Sequence, residues 1–440
     1  MRTTVHQALS QPSAWIRPAV LAFVLICLGG CSDDDDDRDR YAEIRLLNVS
    51  PDYRSLDLYV TAEGGNNDVM KVQDVAFETV SPYRKADSYV YDVKLKRNGV
   101  NGTLRTLGGE KQADGAHLTY IAFGSTGNLG IMKLNDDQTA ANDNRAKLQV
   151  FNAADAGPLD IYLTDESVSL DDGEPLFGAL ASGASTGIAF LDSRTYRLRV
   201  VGTNDTSDLR LDLSGVTLAS RQVMSLVLTA TPGGVLVGAV FIPQRGELAI
   251  KHNTKARVRG AVGVDSGVNA SIGGVTLLTG AGAGVISSRY SQIEAGSVAV
   301  DLKVGGVAVP VANQQLAAGG DYTLLVWSNA QGQQLAVIGD DNRLPSAGKA
   351  KLRVMNGRSG DARSVTMAVD FSPIAEGIAA GQISGYTEFG STAEYQLDLS
   401  DTETATTLVT KTSVALANGG VYTLLASGSG TVSGTLRKDR

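Results

Sequence analysis

The stretch "AKLQVFNAA" (Ala146–Ala154), followed after a short turn by "LDIYL" (Leu159–Leu163), decides how this chain is read. In the second segment Leu159, Ile161 and Leu163 fall on one side of an extended backbone. Asp160 and Tyr162 fall on the other. Alternation with period two marks a strand with one buried face. "GPLD" between the segments supplies turn chemistry. The unit is therefore strand, turn, strand, with an apolar side that needs a covering layer.

The unit recurs. "AEIRLLNVS" (Ala42–Ser50) precedes "LDLYV" (Leu56–Val60), and "AKLRVMNGR" (Ala350–Arg358) precedes "VTMAV" (Val365–Val369). A weaker copy, "ARVRGAVGV" (Ala256–Val264), precedes "VNASI" (Val268–Ile272). Each copy also has a strand-like middle, as in "YVYDVKL" (Tyr89–Leu95) and "VAVDLKV" (Val298–Val304). The later parts agree too: "GGDYTLLVW" (Gly319–Trp327) and "GGVYTLLAS" (Gly419–Ser427) are near copies, with "HLTYIAF" (His117–Phe123) and "VMSLVLT" (Val223–Thr229) in the same place. Repeats of roughly one hundred residues are small domains rather than solenoid units.

Glycine is 50 of 440 residues, aromatic residues are few, and no exported stretch of ten or more residues has helical apolar spacing. Short strands separated by turns over this length predict an all-β fold of tandem antiparallel β-sandwich, immunoglobulin-like domains. The expected domains are 41–143, 144–250, 251–346 (the divergent copy) and 347–440.

The pattern A-[EK]-[IL]-[RQ]-[LV]-x-N, a turn, L-D-[IL]-Y-[VL], and later G-x-x-Y-T-L-L resembles the bacterial domain of unknown function 4397. The resemblance covers most of 41–440 and is weakest in the third repeat, which lacks the Asn and the L-D-[IL]-Y core. It implies an exported, tandem, β-rich protein. The family has no established catalytic residues to carry over.

Ahead of the repeats stands "LICLGGCSDDDDDRDR" (Leu25–Arg40). The apolar run from Ala19 to Leu28 is too short for a membrane span, which takes roughly 20 residues. It fits a secretory signal over 1–30. Its end, Leu28-Gly29-Gly30-Cys31, resembles the lipobox of bacterial lipoproteins, which makes Cys31 the expected lipidation site. Asp33–Asp37 repel one another and read as a solvated tether over 31–40. Ser32 after the cysteine resembles the outer-membrane sorting signal of enteric bacteria, and the acidic run resembles surface-export signals. The expected place is therefore the outer membrane, lipid-anchored, facing the periplasm or the cell surface. Without Arg2 and Arg17 the chain keeps 37 basic against 47 acidic residues, a net charge of −10. No basic stripe invites nucleic acid. Cys27 leaves with the signal and Cys31 is acylated, so no disulfide is expected.

Chemistry-bearing motifs are sparse. "GASTG" (Gly183–Gly187) matches the G-x-S-x-G elbow, but the elbow needs a helix after Ser185, and "IAFLDSRTYRLRV" reads as strands. The expected mature chain has two histidines, His117 and His252, each in a different repeat from Ser185, and no free thiol, so no zinc or copper site is expected. "TGAGAG" (Thr279–Gly284) lacks phosphate-loop spacing. "DESVSLDDGE" (Asp165–Glu174) clusters carboxylates, while "ANDNRA" (Ala141–Ala146) at a repeat junction offers one Asp flanked by Asn, which alone does not supply the six to eight oxygens calcium takes. Tyr59 and Tyr162 are read as exposed on the polar strand face, open to sugar or protein. No catalytic residue, cofactor or metal is assigned. The expected role is non-enzymatic: a structural spacer, or a binder of an envelope protein or glycan, held to the membrane through Cys31. The alternative is an envelope hydrolase with a site between repeats.

Overall fold

The computed structural model describes residues 40–440 except 362 and 392. The expected signal peptide, Cys31 and the aspartate run lie outside the described residues. Among these residues there is no helix, and Arg40–Arg440 form one compact unit. The all-β expectation holds.

The first repeat contributes β1 (Tyr41–Asn48), β2 (Ser55–Ala62), β3 (Val69–Ala76), β4 (Thr79–Val80), β5 (Arg84–Asp87), β6 (Val90–Arg97), β7 (Thr103–Lys111), β8 (His117–Phe123) and β9 (Gly130–Asn135). One sheet has the order β4-β1-β8-β9, with β5 also paired to β1; the other has the order β3-β2-β6-β7. The same two sheets recur within 145–251, 255–340 and 349–438. The strand Ala249–Lys251 carries the second repeat's sheet past residue 250. The third repeat adds a small ribbon, Gly296–Val298 with Gln314–Leu316.

Alternation explains the β2-type sheets. Leu56, Leu58 and Val60 point inward onto Ile44, Leu46, Leu118 and Tyr120 of the facing sheet. Burying each such side chain contributes about 1.5–3 kcal/mol. The outward face of this sheet is exposed along β7, while the outward Asp57 and Thr61 of β2 are buried.

The β1-type sheets differ in two ways. First, β1 and β8 run parallel, and so do their counterparts in the other three repeats. Every other pairing is antiparallel, as expected. A parallel pair needs a long crossover, and here the whole second sheet serves as one. Second, these strands are buried on both faces. The outward side chains Leu47, Ile121 and Met132 pack on Phe151, Val227 and Val240 of the second repeat. Ala261 and Leu325 of the third repeat pack on Met355 and Leu425 of the fourth. Two-sided burial gives the near-continuous apolar runs of "EIRLLNV" and "KLQVFNA". The repeats are thus stacked in pairs, sheet on sheet. At the second stack the backbones nearly touch: a Cβ on Gly263 would lie 1.9 Å from the carbonyl oxygen of Gly357, its counterpart in the next repeat.

Candidate functional site

The repeated motif residues turn out to hold the repeat together. The motif asparagine ends the β1-type strand with its side chain turned into the protein. Asn48 Nδ2 donates to the carbonyls of Tyr53 and Val75 at 3.0 and 3.1 Å, and its Oδ1 accepts from the Ser50 amide. Asn152 and Asn356 make the same three bonds. The motif aspartate holds a bulge in the neighbouring strand. Asp57 accepts from the Asp74 amide and Asp160 from the Ala179 amide, both at 2.7 Å. Asp74 and Ala179 both have positive φ, the conformation that a bulge of this kind demands. In the third repeat Asn269 does this work for Gly280, so the copy that lacks L-D-[IL]-Y keeps its function.

The motif arginine and threonine lie on the outward face, side by side across the parallel pair: Arg45 with Thr119, Arg259 with Thr323, Arg353 with Thr423. In each case the arginine Nε donates to the threonine hydroxyl, at 2.7, 2.9 and 3.0 Å. The threonine in turn donates to an aspartate, Asp136, Asp340 or Asp439. A tyrosine ring caps each guanidinium: Tyr83 at 4.4 Å, Tyr290 at 4.7 Å and Tyr386 at 4.8 Å. The second repeat has Gln149 opposite Ser225 instead. Its Gln244 exchanges two 2.8 Å bonds with the main chain of Gln138 in the first repeat.

In the second stack these groups cross over. Arg259 pairs with Asp439 at 2.6 Å, and Arg353 pairs with Asp340. Each arginine thus reaches the aspartate of the other repeat. Both arginines are 1 % exposed. Burial opposes their charge, but the surrounding tyrosines and aspartates outweigh it and hold both above the ordinary arginine range. Burial, then the Asp340 charge, push the Tyr290 phenol well above its ordinary range, so it stays protonated and donates to Asp340 at 2.8 Å. These are fixed charges and fixed donors, suited to fastening rather than to moving protons.

The residues singled out from sequence are scattered. Ser185 forms an isolated bridge with Phe151 rather than standing on an elbow. His117 lies between Glu43 and Asp137, at 2.9 and 3.1 Å, while His252 faces Glu78. Among the described residues no group of three His, Cys, Asp or Glu is placed to hold a metal. The two tyrosines are less available than expected. Tyr162 is 5 % exposed, because the Asp165–Glu174 segment folds over the sheet and brings Gly173 against its ring. Tyr59 is half-buried with the Lys96 ammonium 4.3 Å from its centroid. The outer sheet of the third repeat carries an open trough of about 410 Å³, lined by Asn269, Ser271, Thr276, Thr279, Asp301 and Lys303. The arginine–threonine–aspartate network was missed, although its arginine and threonine are letters of the repeated motif.

The repeats, their paired sheets and the shared fastening residues define a tandem β-sandwich protein. The chain belongs to the family described as domain of unknown function (DUF4397), which matches residues 42–162 and 257–359. Each matched stretch starts in the first strand of an odd-numbered repeat and runs on into the next one. The third repeat, the divergent copy by its letters, therefore falls inside the match. No curated protein matches the chain. Among solved structures, the crystal structure of a family 26 carbohydrate-binding module from Eubacterium rectale Amy13K, in complex with maltoheptaose, is similar at 10 % identity. The likeness covers 47 % of this chain and 95 % of that one, with a TM-score of 0.16, too slight to carry an argument about ligands.

Proposed function

We propose that this is a non-catalytic, lipid-anchored protein of the bacterial outer membrane. In this reading its four repeats form one stiff block that presents the β2-type sheets to an envelope protein or glycan. The observation that carries the reading is the use made of the other sheets. Their outward faces are occupied by one another, through apolar packing and the crossed pairs Arg259–Asp439 and Arg353–Asp340. What remains is the outward face of the β2-type sheets, including the hydrogen-bonding trough of the third repeat; in the second repeat the Asp165–Glu174 segment covers part of it. Cys31 is the proposed anchor, supported by the apolar run before it and the aspartates after it.

Two experiments test this. Metabolic labelling with a fatty-acid probe should tag the wild type and not Cys31→Ala, and the variant should leave the membrane fraction; equal labelling of both removes the anchor. Purified residues 40–440 should bind an envelope component from intact cells under crosslinking and leave it chemically unchanged. Turnover of envelope glycan or ester by that fragment favours the hydrolase.

A further inference from the structure

We propose that the cleft where the second, third and fourth repeats meet binds a phosphate-like oxyanion. The cleft is about 170 Å³, room for roughly five waters or one phosphoryl group with its hydration. Its walls carry Arg210, Arg257, Arg289 and Arg440. Arg210 and Arg257 are each 8 % exposed, whereas Arg289, Ser207 and Ser288 form a solvent-exposed rim.

Two of the four arginines, Arg289 and Arg440, donate to neutral groups. Asp208 is shared, 3.0 Å from Arg210 Nε and 3.3 Å from Arg257 Nη1. Asp321 holds the other edge of Arg257 through two bonds of 2.8 and 2.7 Å. Asp439 is committed to Arg259 and Thr423, and Asp205 accepts from the Ser207 amide. Arg289 donates to the Ser207 hydroxyl, a neutral partner. Arg440 donates from Nη1 to the main-chain oxygens of Asp155 and Asn342, at 3.0 and 2.7 Å. Neither bond neutralises its guanidinium. Withdrawal from water, then the charges of Arg210 and Arg257, push Arg440 down to about 9. Partly buried cations without an anion are unfavourable, and arginine forks match the oxygens of a phosphoryl group. The volume admits that group.

The test uses residues 40–440, which form one compact unit. Inorganic phosphate, sulfate and glycerol 3-phosphate are titrated by calorimetry and by thermal unfolding, against chloride at equal ionic strength. The expected result is saturable phosphate binding, weakened at least tenfold by Arg289→Gln, whose unliganded unfolding midpoint stays that of the wild type. Arg221→Gln, a surface change elsewhere in the second repeat, should bind as the wild type does. Binding of glycerol 3-phosphate as well as phosphate identifies a phosphomonoester as the ligand class; binding of the inorganic ions alone identifies the free anion. A phosphate effect equalled by chloride overturns the proposal, and so does unchanged phosphate binding in Arg289→Gln.

Discussion

The guanidinium of Arg259 is hydrogen-bonded at 2.6 Å to Asp439, a residue 180 positions further along the chain and in a different repeat. The reciprocal bond from Arg353 to Asp340 makes the third and fourth repeats a mutually fastened pair. Removing one partner of a buried pair leaves an uncompensated charge, which costs about 3–5 kcal/mol. Arg259→Met should therefore destabilise the protein by that amount in urea unfolding. Combining it with Asp439→Leu should recover part of the loss, with a coupling energy of about 1 kcal/mol or more. Additive losses would show that the two side chains act independently.

The motif asparagines make a second prediction. Asn356→Ala strips two part-buried carbonyls, those of Arg363 and Ile378, of their donor. Each unsatisfied group costs about 1–3 kcal/mol. The unfolding free energy of Asn356→Ala should fall by at least that of one group. A midpoint equal to the wild type's would mean that water replaces the amide without loss.

Acid should loosen the joint between the two stacks. Burial raises Asp208, but Arg210 and then Arg257 outweigh it and hold it below the ordinary carboxylate range. A depressed folded pKa contributes stability above the unfolded value, about 3.9. That contribution is lost as the pH falls toward the folded value. Urea midpoints measured from about pH 6 downward should drop on the acid side, and Asp208→Asn should show a shallower drop. An identical acid limb in both proteins would assign the loss to other carboxylates.

The Asp165–Glu174 segment is part of the wall, not a loose loop. Glu166 accepts from the Gly215 amide and Asp171 from the Thr206 hydroxyl, both at 2.7 Å. Deleting the segment should uncover Tyr162, raising its rate of nitration in peptide mapping. It should also lower the thermal midpoint by about 1–2 °C, the equivalent of roughly 1 kcal/mol for a unit of this size. Unchanged nitration would mean that the ring is shielded by its own sheet.

Stacked repeats should also be compact in solution. A compact chain of this size has a radius of gyration of about 21 Å. Small-angle scattering from residues 40–440 should return a value near that. A markedly larger one would describe four sandwiches strung end to end.

The sequence reading succeeded where the two faces of a strand have different partners. "LDLYV" and "LDIYL" alternate because one face packs in the core while Asp57 and Asp160 on the other hold the neighbouring strand's bulge, and that alternation led directly to the sandwich. It said less about "EIRLLNV", where Leu46 and Leu47 point in opposite directions and both are buried. Continuous apolarity there reflects a second layer supplied by another repeat, which no single strand's period reveals. The fastening network was half legible. Arg45, Arg259 and Arg353 stand at one motif position, and Thr119, Thr323 and Thr423 at another. Only the parallel register brings them together, across 74, 64 and 70 residues. Letter matching also misled at the third repeat, since Asn269 offers the same acceptor oxygen as the aspartate it replaces.

The parallel pairing in every repeat has a consequence for how the chain acquires its fold. β1 cannot find its central partner until β8 has been made, so each sandwich closes only near the end of its own repeat. Contacts of such separation are slow to form, because loop closure precedes any gain from them. The crossed pairs extend the delay: the charge of Arg259 stays unmatched until residue 439 is in place. Each repeat built this way closes only when its late strands are made, and the third and fourth repeats are fastened to one another only when Asp439, 180 residues after Arg259, is in place.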